Sequence, residues 1–313
     1  MSYGRPCKWF IALLAGCCLI VSCGGEEEDA LPPVAEEKEV VAPTVAPTPT
    51  PAPDTDNTDL RTKPLVTIPD SEPPLTLEIE DLVIGEGAQV AAGDSLIMDY
   101  VGVSYSTGLQ FDASWDRGQP FPFELGAGRV IKGWDEGIVG MAVGGRRILT
   151  IPPDMGYGDS GSGSGSIGPN ETLVFIVDLR AVVPSDLEKP NVSIAGGATE
   201  ELLLEDLIEG TGRTATPGDV LYIHYVGVSQ STGQQFDSSW DRGRSEFIGL
   251  IAGAGNVIKG LDEGLIGMKV GGRRNLVIPP SLAYGENGAG GGVIAPNETL
   301  VFTVDLLGAQ PFG

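Results

Sequence analysis

The stretch that decides the fold runs from Val130 to Gly158, VIKGWDEGIVGMAVGGRRILTIPPDMGYG, and returns from Val257 to Gly285 as VIKGLDEGLIGMKVGGRRNLVIPPSLAYG. Twenty of the 29 positions are identical, so the chain carries one structural unit twice. Ile131 to Val139 leaves room for one short helix, broken by Gly140, and Arg146 to Ile151 follows as a strand. The largest change inside the repeat turns Trp134 into Leu261.

Working outward, DLVIGEGAQVAAGD (81–94) matches DLIEGTGRTATPGD (206–219), and FDASWDRG (111–118) matches FDSSWDRG (236–243). Matching positions lie 125 residues apart up to this point and 127 apart from Val130 and Val257 onward. The second copy therefore holds two extra residues between Gly243 and Gly253. Thr76–Glu80 alternates as an edge strand, Leu96–Val103 is a second strand, Phe111 opens a segment ending in the turn Asp116–Gly118, and Thr172–Val183 is the last strand. Several strands and a single short helix per copy predict an α+β fold, an antiparallel sheet curled around the helix. The copies span residues 75–183 and 200–313, with PSDLEKPNVSIAGGAT (184–199) as a polar linker.

The 313 residues carry 19 Lys+Arg against 43 Asp+Glu, a net charge of −24, which disfavours nucleic-acid binding. All four cysteines fall within the first 23 residues, so the rest of the chain has neither disulfides nor a cysteine metal site. His224 is the only histidine, and on a strand it reads as a packed residue. Arg5 and Lys8 precede an apolar run, Trp9–Val21, shorter than the roughly 20 residues that span a bilayer. Residues 1–22 resemble a bacterial lipoprotein signal, with Cys23 as the lipidated residue; Cys17 fits the same pattern, and an ordinary secretory signal is the third reading. The expected location is the bacterial cell envelope, with the protein held on a membrane by lipid. Gly24, where an aspartate would signal inner-membrane retention, leans toward the outer membrane. Residues 23–74, rich in Pro, Thr and Glu, read as an extended, disordered stalk.

No nucleophile elbow, Walker loop, His-Glu-x-x-His helix or cysteine nucleophile is present. What recurs is a set of aromatic residues beside turns, with Asp112 directly after Phe111 and Tyr157 in a glycine-rich loop. Such a set can line an apolar pocket for an uncharged ligand.

In order, Tyr-x-Gly, Phe-Asp-x-Ser-x-Asp-Arg, Val-Ile-x-Gly-Trp-Asp-Glu-Gly, Gly-Gly-Arg-Arg, Ile-Pro-Pro, Tyr-Gly and Asn-Glu-Thr-Leu-Val-Phe resemble the FKBP-type peptidyl-prolyl cis-trans isomerases. The resemblance covers each copy along its whole length and implies a half-open antiparallel sheet wrapped on a short helix, using no cofactor and no metal. It implies that Trp134 is the floor of a pocket walled by Tyr100, Phe111, Phe121, Val130, Ile131 and Phe175. Asp112 and Tyr157 would meet the substrate backbone, Arg117 would pair with Asp112, and Ile167 would be an apolar loop contact. Ser166 and Gly168 depart from the family pattern at that lip. In the second copy the matching residues are Tyr225, Phe236, Asp237, Arg242, Val257, Ile258, Leu261, Tyr284, Ile294 and Phe302. Phe247 and Ile248 are both candidates for the wall that Phe121 and Phe123 form in the first.

The activity so implied is rotation about X–Pro bonds of exported polypeptides, faster in the first copy, by a monomer. A proline-chain holdase with incidental turnover and a pair of inert spacer domains are the rival readings.

Overall fold

The computed structural model describes residues 57–194, 198–244 and 247–311. The signal segment, Cys17, Cys23 and the stalk as far as residue 56 lie outside the described residues. The first copy contains β1 (Glu78–Val83), β2 (Ser95–Ser104), β3 (Gln110–Ala113), a one-turn helix α1 (Ser114–Arg117), β4 (Phe121–Glu124), helix α2 (Lys132–Gly137), β5 (Arg146–Ile151) and β6 (Leu173–Val183). The second contains β7 (Leu203–Ile208), β8 (Asp219–Ser229), β9 (Gln235–Ser238), β10 (Ile248–Ile251), α3 (Lys259–Gly264), β11 (Arg273–Ile278) and β12 (Leu300–Pro311). Both sheets are antiparallel, ordered β1-β5-β6-β2 and β7-β11-β12-β8. The last edge is split: β3 and β4 both pair with β2, and β9 and β10 both pair with β8. This is the expected α+β fold. The expectation of one helix per copy fails at Ser114–Arg117, where the chain makes a further helical turn between β3 and β4.

Helix α2 has a poor helical sequence, KGWDEG, and no side-chain cap at its start. Its two glycines lie four residues apart and so share a face. A Cβ on Gly133 would come within 2.4 Å of Ile151 Cγ2, and one on Gly137 within 2.8 Å of Leu149 Cδ2. The same contacts would be 2.3 Å at Gly260 and 2.1 Å at Gly264, against Ile278 and Leu276. The helix therefore lies flush on β5, a closeness that glycine alone permits, and packing offsets the roughly 1 kcal/mol that each glycine costs a helix.

The Arg-Arg pair after it acts on both sides of β5. Arg147 bonds Asp81 on β1 (2.7 and 3.0 Å) and the Gly137 carbonyl (2.8 Å), tying the sheet edge to the C-terminus of α2. Arg274 repeats this with Asp206 and Gly264. Arg146 points the other way, is fully buried and bonds Asp178 on β6 at 2.5 and 2.9 Å.

Arg146 also donates to the carbonyls of Asn57 (2.9 Å) and Thr62 (3.0 Å), and Arg180 to that of Leu60 (3.2 Å). Lys63 bonds Asp116, Pro64 is buried, and Val66 and Ile68 pack on Val101, Val103 and Ala113. Residues 57–68 are thus a strap on the sheet, which corrects their assignment to the stalk. The supposed linker does the same for the second copy. Arg273 donates to the Glu188 carbonyl (2.9 Å), Lys189 bonds Asp241 (2.5 Å), Pro190 is buried and Val192 packs on Val226 and Val228. Lys63-Pro64-Leu65-Val66-Thr67-Ile68 and Lys189-Pro190-Asn191-Val192-Ser193-Ile194 are one motif, so the repeat begins before residue 75. Proline suits a strap that pairs with no strand.

The two extra residues of the second copy precede β10. Ile248 pairs with Ile223 as Phe121 pairs with Met98, so Ile248 and Leu250 replace Phe121 and Phe123. Phe247 leaves the wall and packs with Tyr222, Leu187 and Trp240 beside Ile97, Val183 and Leu307, an apolar cluster shared by both domains.

His224 is fully buried and stacks on Trp240 at 4.2 Å. Its Nε2 meets the Arg244 carbonyl at 2.8 Å, so that nitrogen carries the proton, and its Nδ1 meets Ser239 Oγ at 2.8 Å. Burial holds His224 below the ordinary imidazole range; the bond to the Arg244 carbonyl opposes this, and the charges of Arg244 and Arg242 add to it. The unfolded chain thus takes up a proton that the folded domain resists. Stability is full above the ordinary value of about 6.5 and falls as pH drops below it. Melting of the second domain's sheet, followed by hydrogen exchange, is expected to weaken from pH 7 to 5, and His224→Asn to flatten that slope; an equal slope in the variant refutes it. A methyl at the helix–sheet contact, Gly133→Ala, is expected to lower the stability of the first domain by about 1–2 kcal/mol in denaturant titration, overpacking exceeding the gain in helix propensity. Unchanged or higher stability refutes the close-packing account.

Candidate active site

The pocket of the first copy is built from β2, β3, β4, α2 and β6. Tyr100 and Phe175 sit on neighbouring strands, because Gly102 pairs with Phe175 in the β2–β6 register. A Cβ on Gly102 would lie 2.7 Å from both the Phe111 and Phe175 rings, which explains the Tyr-x-Gly motif: glycine lets two phenyl rings close over the strand. Gly227 stands in the same relation to Phe236 (2.7 Å) and Phe302 (2.8 Å).

Trp134 enters from the first turn of α2 and is 4% exposed. Its ring lies 5.2 Å from Tyr100, 5.3 Å from Phe175 and 5.6 Å from Phe123, the first two edge-to-face. Its Nε1 is buried with no hydrogen-bond partner among the described residues. An unpaired buried donor costs about 1–3 kcal/mol, a cost that a leucine avoids.

The resulting cavity, about 170 Å³, is lined by Tyr100, Phe111, Asp112, Phe121, Val130, Ile131, Trp134, Tyr157 and Phe175, all of them named from the sequence. Arg129 lines it too and was missed; the signal available was its change to Asn256 just before a repeated Val-Ile. Arg117 stands behind the lining, bonding Asp112 and the Tyr100 hydroxyl (2.8 Å). Ile167 does not line the cavity: it is buried in the main core, its N–H bonded to Ser162 Oγ (2.9 Å). Its lip neighbour Ser166 joins a cluster of hydroxyls with Ser162 and Ser164.

Burial and the bond to Asp112 raise the Tyr100 phenol to about 12, so it stays a donor at neutral pH. Burial pushes the Asp112 carboxyl up, but the bonds from Tyr100 and Arg117 together outweigh it and leave it below the ordinary carboxylate range. Asp112 is therefore an ionised acceptor and Tyr100 a neutral donor across the neutral range. Neither is poised to exchange a proton. Tyr157 is 42% exposed at the mouth, and its hydroxyl makes no hydrogen bond among the described residues, leaving it free to donate.

In the second copy Tyr225 bonds Asp237 (2.5 Å) and accepts from Arg242 (3.1 Å). Phe302 lies 6.0 Å from Tyr225 and 5.5 Å from Phe236, and Tyr284 is 41% exposed. Phe236, Val257 and Ile258 are partly buried, whereas Leu261 and, as at Ile167, Ile294 are buried. Three rings of the first cage are aliphatic here: Ile248, Leu250 and Leu261. A larger cleft of about 630 Å³ opens between the domains beside Trp115, Arg180, Tyr222 and Gln310; it holds none of the first cage's lining residues, but Leu250 and Asn256 of the second copy border it. Among the described residues no three His, Cys, Asp or Glu side chains converge as a metal site requires.

The site is thus an apolar cage with a neutral donor, a paired carboxylate and a free hydroxyl, with no group poised to move a proton. The family model for FKBP-type peptidyl-prolyl cis-trans isomerase matches residues 86–180 and 211–307, and the chain belongs to that family. An FK506-binding protein of Streptomyces anulatus is 55% identical over 120 residues, 38% of this chain and 97% of its own length. Human peptidyl-prolyl cis-trans isomerase FKBP10 is 37% identical over 221 residues, covering 70% of this chain and 35% of its own length. The chain thus spans the small bacterial relative almost whole and about a third of the human one. The crystal structure of AtFKBP13 aligns over 33% of this chain and 90% of its own at 40% identity, with a TM-score of 0.31.

Proposed function

We propose that both pockets catalyse rotation about X–Pro bonds and that the first is the faster. The barrier to this rotation, about 18–20 kcal/mol, comes from resonance in the planar amide. The planar form is more charge-separated than the twisted transition state, so a dry aromatic cavity favours the twisted one. Ring walls exclude water, while Tyr157 and Tyr284 can hold the peptide backbone in a turn. This is differential binding of the transition state and uses no acid, base or nucleophile. The observation that carries the reading is the cage of rings around Trp134.

The ranking of the pockets rests on Ile248, Leu250 and Leu261, which keep the second site apolar and retain the Phe236–Phe302 pair but not the rings that Phe121, Phe123 and Trp134 contribute to the first. In a peptide isomerisation assay, Trp134→Leu is expected to lower kcat/KM of the full chain several-fold, and Leu261→Trp to raise the contribution of the second pocket. Equal rates from two forms, each with one pocket disabled by Tyr157→Phe or Tyr284→Phe, contradict the ranking.

We further propose that the clients are exported polypeptides and that lipid at Cys23 holds the protein on a membrane of the bacterial envelope. The basic start, short apolar run and cysteine of residues 1–23 support this. Labelling with a fatty-acid precursor is expected to mark the wild type and not Cys23→Ser. Label retained in Cys23→Ser and lost in Cys17→Ser moves the site to Cys17, and no label in any form removes the anchor.

A further inference from the structure

We propose that Arg129 makes the first pocket select substrates with an acidic side chain beside the proline, and that Asn256 leaves the second pocket indifferent to that charge. The inference rests on the reading of both pockets as prolyl-isomerase sites.

The charged groups lining the first cavity are Asp112 and Arg129. Asp112 is neutralised by Arg117, so Arg129 is the uncompensated charge at the mouth. It stands apart from the other described arginines. Arg146, Arg147, Arg180, Arg273 and Arg274 all face carboxylates, as do Arg61, Arg213 and Arg242. Arg244 donates to the carbonyls of Pro184 and Leu187. Arg129 alone has neither ion pair nor hydrogen bond among the described residues. In a chain of net charge −24, a guanidinium left unpaired is available to a ligand.

Its position is fixed. The Asp135 carboxylate accepts the Gly126 and Gly128 N–H groups at 2.8 and 3.1 Å, pinning the loop before Arg129 to α2. Both glycines hold left-handed backbone, at φ 78° and 66°. In the second copy Asp262 accepts from Gly253 and Gly255 at 2.7 and 2.9 Å, with φ 79° and 73°. Residues 129 and 256 therefore occupy equivalent anchored points that differ by one unit of charge, Arg129 lining the first cage and Asn256 standing just before Val257, where it also borders the large cleft.

An exposed arginine–carboxylate contact changes an equilibrium by roughly two- to fivefold and fades as salt shortens the screening length. A residue beside the proline meets Arg129 equally in the ground and transition states, so the effect belongs in KM and not in kcat. The test uses the full chain and peptides that differ only in Glu, Gln or Lys on either side of the proline. Wild type is expected to favour Glu over Gln by roughly two- to fivefold at 50 mM salt, through KM, with the preference gone at 1 M. Arg129→Gln should abolish it, and Asn256→Arg added to Arg129→Gln should restore it. The same Glu/Gln ratio in wild type and Arg129→Gln, or a preference carried by kcat, overturns the proposal. If no form turns over any peptide, the isomerase reading has failed instead. The Glu/Gln ratio of peptide affinities measured by calorimetry then decides the role of Arg129 by the same criterion.

Discussion

The structure depends on one contact, the flush packing of a six-residue helix on a strand through two glycines. Gly133 and Gly137 bring α2 so near Ile151 and Leu149 that no side chain fits between them. That closeness places Trp134, about a quarter-turn round the helix from the glycine face, against Tyr100 and Phe175 from the neighbouring strands. A helix held farther off would open the cavity to water. The glycines that weaken the helix are thus the ones that seal the pocket, and Arg147 secures the arrangement by bonding the helix C-terminus and β1 together.

Around this contact the two copies share a frame and differ in lining. Tyr100-Asp112-Arg117 and Tyr225-Asp237-Arg242 have the same bonding pattern, and the same glycine gap under each pair of phenyl rings. The frame is held by polar bonds and tight backbone approaches, which tolerate little change. The lining is held by apolar packing, where leucine or isoleucine can stand for an aromatic ring if a neighbour adjusts. Divergence between the copies accordingly falls on Trp134, Phe121, Phe123 and Arg129, which face the cavity or support its wall.

Much of the site was legible in the sequence because the family motifs name its residues one by one. Nine of the residues so named line one cavity. Ile167 went astray because an apolar residue in a loop reads the same whether it faces a ligand or the core; only its packing distinguishes the two. Phe247 and Ile248 could not be separated along the chain, since a two-residue insertion can be absorbed on either side of them. The strand register resolves it by pairing Ile248 with Ile223.

The sequence by itself determined that there are two domains of one α+β kind, the second with Leu261 where the first has Trp134. Repetition, residue type and glycine spacing are properties of the chain and survive without coordinates. The tertiary structure decided what depends on distant pairings. Arginines on β5 and β11, the first fully and the second partly buried, claim carbonyls of segments that read as stalk and linker, turning both into straps. It also decided that Arg129 has no partner while every other described arginine has one. A charge is written in the sequence, but whether it is spent depends on which carboxylates the fold brings within reach.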